Sequence, residues 1–155
     1  MLHLAILALD CGTHTGWAFG DGSRIESGVQ VFDLKRGESP GMRYIRFNAW
    51  LQEIFDLLEP DLVAFEMAHH RGGAATELMA GMTTRILEAC ADRGINHTSV
   101  HSATLKKFAT GSGRADKEAM KKRASKIAGR LIISDDEADA LCLLEYIRGQ
   151  FGDKK

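Results

Sequence analysis

The sequence predicts an α/β fold in which a five-stranded mixed sheet is flanked by helices. Residues 3–32 contain three strand-like segments, and the last two are joined by a short Gly/Asp turn of the kind that connects antiparallel strands. From residue 39 onward, segments with apolar residues at helical spacing alternate with short apolar runs, as in strands connected by helices. No linker, repeat or low-complexity block interrupts the pattern, so we expect a single domain over residues 1–155.

The first half of the chain predicts four strands and one helix. Residues 3–9 form an apolar run that is short enough for a buried strand and too short for a membrane span. Residues 13–32 predict two more strands, with their turn at residues 20–22. Residues 39–58 carry apolar side chains near helical spacing and predict a helix. The short apolar run at residues 62–66 is typical of a buried parallel strand.

The second half predicts one strand and three helices. Residues 74–92 show apolar residues at spacings of three and four, which predicts a helix, and residues 95–101 predict the fifth strand. A Gly-rich loop at residues 110–116 precedes a basic helix at about 117–129. A last helix covers residues 135–148. The predicted order of elements is therefore βββαβαβαα.

Composition excludes several classes of protein. Of the 155 residues, 45% are apolar and 26% charged, which is ordinary for a globular protein and excludes a disordered chain. The N-terminal apolar run lacks a basic leader and a small-residue cleavage site, so we expect a cytoplasmic protein without a membrane segment. The odd number of widely separated cysteines favours reduced, buried thiols over disulfides or a zinc site. The cysteines are Cys11, Cys90 and Cys142.

Charge is distributed unevenly along the chain. The net charge is −1, yet residues 104–130 contain nine Lys and Arg residues against Asp116 and Glu118, which gives this segment +7 and the remainder −8. A basic patch beside an acidic remainder indicates phosphate binding. The alternative interpretation is a helix face that is merely solvated.

Four carboxylates crowd into five positions at the start of the last predicted helix. Asp135 and Glu137 fit a helix N-terminus, where Ser134 would cap the helix and Glu137 would complete a capping box. Asp136 and Asp139 are three residues apart and so share one helix face, which points toward the protein if it also carries the apolar residues. Two carboxylates that point inward need a cation.

Two further acids follow predicted strands directly. Asp10 ends the first strand and Glu66 ends the fourth, and the active sites of open sheets gather at such strand ends. Taken singly, a turn-forming Asp and a solvated Glu are the simpler interpretations. If the two strands are neighbours, however, both carboxylates converge, and Asp136 and Asp139 complete a set of hard oxygen ligands suited to Mg²⁺ or Mn²⁺. Two such ions activate a water and stabilise the leaving oxygen of a phosphodiester.

Four segments, in this order, resemble the RuvC-type Holliday junction resolvases, and the compact chain is most similar to phage and prophage members. The segments are LALDCGTHTGWA, VAFEMAHH, TLKKFATGSGRADKEAMKKRA and SDDEADALCLL, within residues 4–147. The resemblance implies an RNase H-like fold, a five-stranded mixed sheet with helices on both faces. It also implies an endonuclease that resolves branched DNA by paired nicks leaving 5′-phosphates. The implied catalytic, metal-binding carboxylates are Asp10, Glu66, Asp136 and Asp139, which would hold two Mg²⁺ ions, with Mn²⁺ as a substitute.

The family also carries a Gly-rich segment before a basic helix, matched here by Thr110, Gly111, Gly113, Ala115 and Lys117. Glycines let the backbone approach phosphates, and Lys117 would then act near the scissile group as a catalytic residue. A plain flexible loop is the alternative. The DNA contacts that we expect are Lys106, Lys107, Gly111, Gly113, Arg114, Lys117, Lys121, Lys122, His69, His70 and Arg71.

The chain departs from the family after the fourth strand. Cellular members place an aromatic wedge a few residues after the catalytic Glu, whereas this chain has Ala68, His69, His70 and Arg71. We therefore do not expect base-step wedging. The two histidines fit phosphate contacts, a proton shuttle or simple surface residues.

The resemblance implies a homodimer, because a resolvase makes two symmetric nicks. The apolar face of helix 74–92 could supply an isologous interface, or it could be used entirely against the sheet. A four-way DNA junction is the expected partner, while any helicase or packaging partner stays unidentified.

Three other functions fit parts of the sequence. LDCGTHTG also resembles the first phosphate loop of the actin and hexokinase superfamily, but the chain is too short for the two domains that bind ATP there. A non-catalytic branched-nucleic-acid binder, or an RNA-processing nuclease of the YqgF type, would keep the fold. A structural protein with a basic helix explains the charge but none of the four acids, which would repel one another without a cation.

Overall fold

The computed structural model describes residues 3–67, 72–114 and 116–152. Its strands are β1 (Ile6–Asp10), β2 (His14–Gly20), β3 (Ile25–Val31), β4 (Leu62–Glu66) and β5 (Asn96–Val100). They form one sheet in the order β3-β2-β1-β4-β5. Strands β1, β2 and β3 pair antiparallel, whereas β4 pairs parallel with both β1 and β5. The predicted five-stranded mixed sheet is confirmed, and so is the neighbouring position of the first and fourth strands.

Five α-helices accompany the sheet in the described ranges. They are α1 (Gly41–Leu58), α2 (Ala74–Arg93), α3 (Ser102–Thr110), α4 (Lys117–Ala128) and α5 (Asp135–Ile147), and a π-helical segment covers Arg148–Gly152. The predicted order was wrong in omitting α3. This helix has nine residues, buries only Leu105 and has no side-chain cap at His101, so it leaves little periodic signal in the sequence.

Helices cover both faces of the sheet, as predicted. Ile6 and Ala8 of β1 belong to a core formed with α3, α4 and α5, whereas Leu7 and Leu9 belong to a second core formed with α1 and α2. All four side chains are 0% exposed, since alternate residues of a strand point to opposite faces. This double burial explains why β1 is apolar throughout and fixes the position of the acid that ends it.

Two further predictions can be compared with the structure. Cys11, Cys90 and Cys142 are free and buried, which confirms that the cysteines act as buried thiols. Among the helices that the structure describes, none is both long enough and apolar enough to cross a membrane.

Candidate active site

Three carboxyl groups from three different elements meet at one edge of the sheet. Asp10 ends β1, Glu66 ends β4, and Asp139 lies in the second turn of α5. One carboxylate oxygen from each residue lies within 4.8 Å of the other two. The parallel pairing of β1 and β4 places Leu9 opposite Phe65, which brings the two acids that follow them to the same edge.

The fourth predicted carboxylate, Asp136, also reaches this edge. A side-chain hydrogen bond joins Asp136 to Asp10. The structure therefore brings together all four acids that were predicted from the sequence, three of them within ligand distance of one another and Asp136 against Asp10.

Close backbone packing places Asp136 there. In β2, Gly16 pairs with Asp10, and a Cβ atom on Gly16 would lie 1.9 Å from the backbone carbonyl oxygen of Asp136. Only glycine allows α5 to lie this close to the sheet. Gly16 was not among the residues predicted from the sequence, although a glycine inside a strand is a known indication of close backbone approach.

Burial and mutual repulsion raise the pKa values of the acids. Burial, followed by repulsion from Glu66, Asp139 and Asp136, raises the pKa of Asp10 well above its usual range. Burial and the charge of Asp139 raise the pKa of Glu66 to about 7. Burial and the charge of Asp136 raise the pKa of Asp139 to about 6. Without a cation, this cluster therefore holds protons at pH values where isolated carboxyl groups are ionised.

These properties fit a hard divalent cation. The donor set consists of carboxylate oxygens, which Mg²⁺ and Mn²⁺ prefer. A cation would replace the protons that the cluster otherwise retains and would remove the repulsion among the acids.

Two lysines act on the acids of the cluster with different strength. The charge of Lys106 on α3 lowers the pKa values of both Glu66 and Asp139, against the larger effect of burial. Lys117 is the first residue of α4 and has a smaller effect, on Asp139 alone. Lys106 was predicted only as a DNA contact, and Lys117 was predicted as catalytic. In the structure, however, Lys106 has the stronger electrostatic effect on the carboxylates.

Asp135 forms ion pairs with α4. Its carboxylate oxygens lie 3.3 Å from Nζ of Lys117 and 3.5 Å from Nζ of Lys121. The Lys117 side chain is 80% exposed, whereas that of Lys121 is 22% exposed and also pairs with Glu118 at 2.8 Å. Both lysines are therefore held near the site by acids of the same chain.

Glu137 points in a third direction, and the predicted capping box forms only in part. The Ser134 hydroxyl accepts a hydrogen bond from the backbone N–H of Glu137, which confirms the helix cap. The Glu137 side chain does not complete the box. It is 8% exposed and binds Ser27 and Arg130 instead, partners that lie in β3 and in the segment between α4 and α5.

The predicted DNA contacts that the structure describes lie on α3, on α4 and in the loop between them. Gly111 ends α3 with φ +85°, a left-handed conformation that favours glycine, and Asp116 caps α4 by accepting from the N–H of Ala119. Lys106 and Lys107 are on α3, Gly113 and Arg114 are in the loop, and Lys121 and Lys122 are on α4. Ala68, His69, His70, Arg71 and Ala115 lie outside the described residues.

Comparison with known proteins gives consistent relatives. No protein-family model matches the chain. The crossover junction endodeoxyribonuclease RuvC of Moorella thermoacetica is 28% identical over 147 residues, which cover 90% of this chain and 88% of that protein. RuvC of Corynebacterium diphtheriae is 33% identical over 99 residues, which cover 62% of this chain and only 58% of that protein.

A solved structure of RuvC from Thermus thermophilus in complex with a Holliday junction substrate superposes with a TM-score of 0.79. It is 21% identical and covers 97% of this chain and 99% of that one, so the likeness concerns the fold. The predicted kinship with phage members stays a prediction. The chain is thus similar in sequence to RuvC proteins over 62–90% of its length, and it has the fold of the Thermus thermophilus RuvC structure.

Proposed function

We propose that this protein is a metal-dependent endonuclease that resolves Holliday junctions and other branched DNA by paired symmetric nicks. The observation that carries the proposal is the meeting of Asp10, Glu66 and Asp139 within 4.8 Å, with Asp136 bonded to Asp10. The names of the sequence relatives as crossover junction endodeoxyribonucleases support it. We also propose that residues 1–155 form a single nuclease domain that works in the cytoplasm.

In this proposal the four carboxylates hold two Mg²⁺ ions, with Mn²⁺ as a substitute. When bound, such ions would favour attack of water on the phosphorus and stabilise the charge on the leaving 3′-oxygen; loss of the 3′-oxygen would leave a 5′-phosphate. Asp10 and Glu66 are fixed by the ends of β1 and β4, and Asp136 and Asp139 by the packing of α5 on the sheet. Because rigid elements carry all four ligands, little reorganisation is needed when the cations bind.

The basic segment would bring the DNA backbone to the carboxylates. The charge of Lys106 already acts on Glu66 and Asp139, so in this proposal the same charge would attract a phosphate that approaches the two acids. Lys117 lies at the N-terminus of α4, where the helix dipole also favours an anion. The remaining proposed contacts, including His69, His70 and Arg71, would bind phosphates along the arms and make affinity fall with salt.

Two nicks require two active sites, so we propose a homodimer. The burial of side chains on α2 indicates which part of this helix remains accessible to a second copy of the chain. Met82 and Ile86 are 0% exposed and belong to the core beneath α1 and α2, whereas Leu78 and Met79 remain half-buried. An interface on α2 would therefore use the turn that carries Leu78 and Met79 and not the whole apolar face.

The proposal is tested by cleavage of end-labelled DNA. Four-way junction, flap and linear duplex are incubated with the wild type and with Glu66→Gln, in Mg²⁺, Mn²⁺ or chelator. Paired symmetric nicks on the junction, lost in Glu66→Gln and with chelator, are expected. Junction binding without cleavage in any metal would favour a non-catalytic binder, cleavage of RNA alone would favour a YqgF-like nuclease, and absence of binding would overturn the proposal.

A further inference from the structure

A small hydrogen-bonded network lies behind the first turn of α5, away from the four carboxylates. We propose that Glu137, Arg130 and Ser27 are positioning residues that hold this turn, and with it Asp136 and Asp139, in the geometry that binds the metal ions. The inference rests on the proposed function and assigns to it residues that do not themselves touch metal or DNA.

The contacts of the network are short and shared. The Oε2 atom of Glu137 accepts from the Ser27 hydroxyl at 2.8 Å and from Nη2 of Arg130 at 2.6 Å. The same Nη2 also donates to the Ser27 hydroxyl at 2.9 Å. Three separate parts of the chain, β3, the segment after α4 and α5, are thereby joined around one carboxylate oxygen.

This network completes a three-point attachment of the first turn of α5. The Asp136 carboxyl bonds to Asp10 on β1, and the Asp136 backbone lies on Gly16 of β2. Glu137 then attaches the turn to Ser27 on β3. Because neighbouring helical residues point about 100° apart, Glu137 acts on the turn from a different direction than Asp136.

The turn needs such an attachment because the carboxylates oppose it. When no cation is bound and the acids are ionised, repulsion among Asp10, Glu66, Asp136 and Asp139 acts to push α5 away from the ends of β1 and β4. The Glu137 network lies outside the cluster and so can resist this displacement. Residues that orient metal ligands from outside the coordination sphere affect metal affinity strongly, commonly by tenfold or more.

Stability alone gives a weaker explanation of the network. The Arg130 side chain is 51% exposed, and an ion pair open to water on one side contributes little net stability because the solvent screens the attraction. The ion pair between Arg123 and Glu145 offers a matched comparison, since it also joins α5 to the α4 region but farther along the helix. If the network serves only stability, substitutions in the two pairs should have similar effects on metal affinity. If it positions the metal ligands, metal affinity should fall only when the Glu137 pair is substituted.

Positioning can also be separated from long-range electrostatics. Glu137→Gln removes a negative charge near the site, and Arg130→Met removes a positive one. A purely electrostatic effect would weaken cation binding in the first variant and strengthen it in the second. Positioning predicts weaker binding in both, and also in the uncharged substitution Ser27→Ala.

The experiment is a titration of the full-length protein with Mn²⁺, in which electron paramagnetic resonance measures the concentration of free ion. We expect about a tenfold loss of Mn²⁺ affinity in Glu137→Gln and Arg130→Met, a smaller loss in Ser27→Ala, and wild-type affinity in Glu145→Gln. Junction affinity in chelator should stay unchanged in Glu137→Gln, Ser27→Ala and Glu145→Gln; Arg130→Met also removes a charge of the basic segment and is compared by its Mn²⁺ affinity alone. Thermal unfolding in chelator identifies any variant that does not fold, and in that case Arg130→Lys, which keeps the charge but loses the fork of donors, takes the place of Arg130→Met.

The outcomes separate this inference from the proposed function. Wild-type affinity in both Glu137→Gln and Arg130→Met, tighter binding in Arg130→Met, or an equal loss in Glu145→Gln would overturn the positioning role and leave the nuclease proposal standing. If the wild type itself binds no Mn²⁺, both proposals fail.

Discussion

The carboxylate edge and the basic segment are the two charged regions of this molecule, and they are built in opposite ways. The acids sit on buried strands and on a helix that is packed directly onto the sheet, so their positions are fixed although they repel one another. Lys117 and Lys121 lie on a largely polar helix and pair with acids of the same chain. The positions of the acids are therefore fixed by packing. The lysines of the basic segment, in contrast, can exchange their carboxylate partners for phosphates when DNA binds.

The largest effect is expected from removing an acid. Asp10→Asn should reduce cleavage by a thousandfold or more, on the order of 4 kcal/mol in the barrier, because a metal ligand is lost. Junction binding should survive, since the basic segment is untouched. The measurement is single-turnover cleavage together with junction binding, and Asp33→Asn, an exposed acid near His14, is the control. Nicking at the wild-type rate by Asp10→Asn would remove the carboxylate edge from the mechanism.

The second effect concerns the packing that fixes the edge. Gly16→Ala would place a Cβ atom 1.9 Å from the Asp136 carbonyl oxygen, so α5 must shift. We expect a loss of about 3 kcal/mol in the free energy of unfolding and a loss of cleavage. Chemical denaturation measures the stability, with Gly149→Ala as control because nothing lies within 4 Å of a Cβ there. Equal stability of the two variants would show that the close approach does not matter.

The third effect is the pH dependence of stability without metal. Glu66 and Asp139 have pKa values raised to about 7 and about 6, so the folded state binds protons more tightly than the unfolded state. This contribution is complete below the usual carboxyl pKa and is lost as the pH rises toward 7. The free energy of unfolding in chelator should fall by on the order of 2–3 kcal/mol for each of these two groups from pH 4 to pH 8.

Glu66→Gln provides the matched variant for the pH effect, because it removes one titrating group. Chemical denaturation at several pH values should give a shallower fall for Glu66→Gln than for the wild type. Mg²⁺ or Mn²⁺ should restore stability to the wild type at pH 8. The opposite result would be a stability of the wild type that rises in chelator between pH 5 and pH 8. If that rise is as large as in Glu66→Gln, the raised pKa values are contradicted.

The smallest effects are expected in the basic segment. Lys117→Ala should lower the cleavage rate more than the affinity, whereas Lys121→Ala should mainly weaken binding and reduce the slope of affinity against salt by about one. Lys121 already pairs with Glu118 and Asp135, so it gains less from a phosphate than an unpaired lysine would. Rates and affinities measured over a range of salt concentrations separate the two roles, and identical changes in both variants would remove the distinction.

The features that could be predicted from the sequence are those with a local signal. Asp10 and Glu66 follow strands that are apolar because both of their faces are buried, and this pattern fixes where each acid lies. The spacing of Asp136 and Asp139 placed both on the inward face of α5. The four acids could therefore be predicted as site residues before the structure showed where they lie relative to one another.

The features that could not be predicted depend on contacts between distant residues. The partners of Glu137 include Ser27, which is 110 residues away, and no local pattern indicates that pair. The capping box failed for the same reason, since its side chain had a better partner elsewhere in the fold. Helix α3 was missed because its one buried residue, Leu105, leaves no periodicity to detect.

The most direct test of the carboxylate edge as a metal centre is anomalous diffraction from crystals of the protein grown with Mn²⁺. We predict two peaks about 4 Å apart among Asp10, Glu66, Asp136 and Asp139. Peaks only elsewhere on the molecule, or none at a Mn²⁺ concentration that supports junction cleavage, would contradict the proposal that these four acids form the active site.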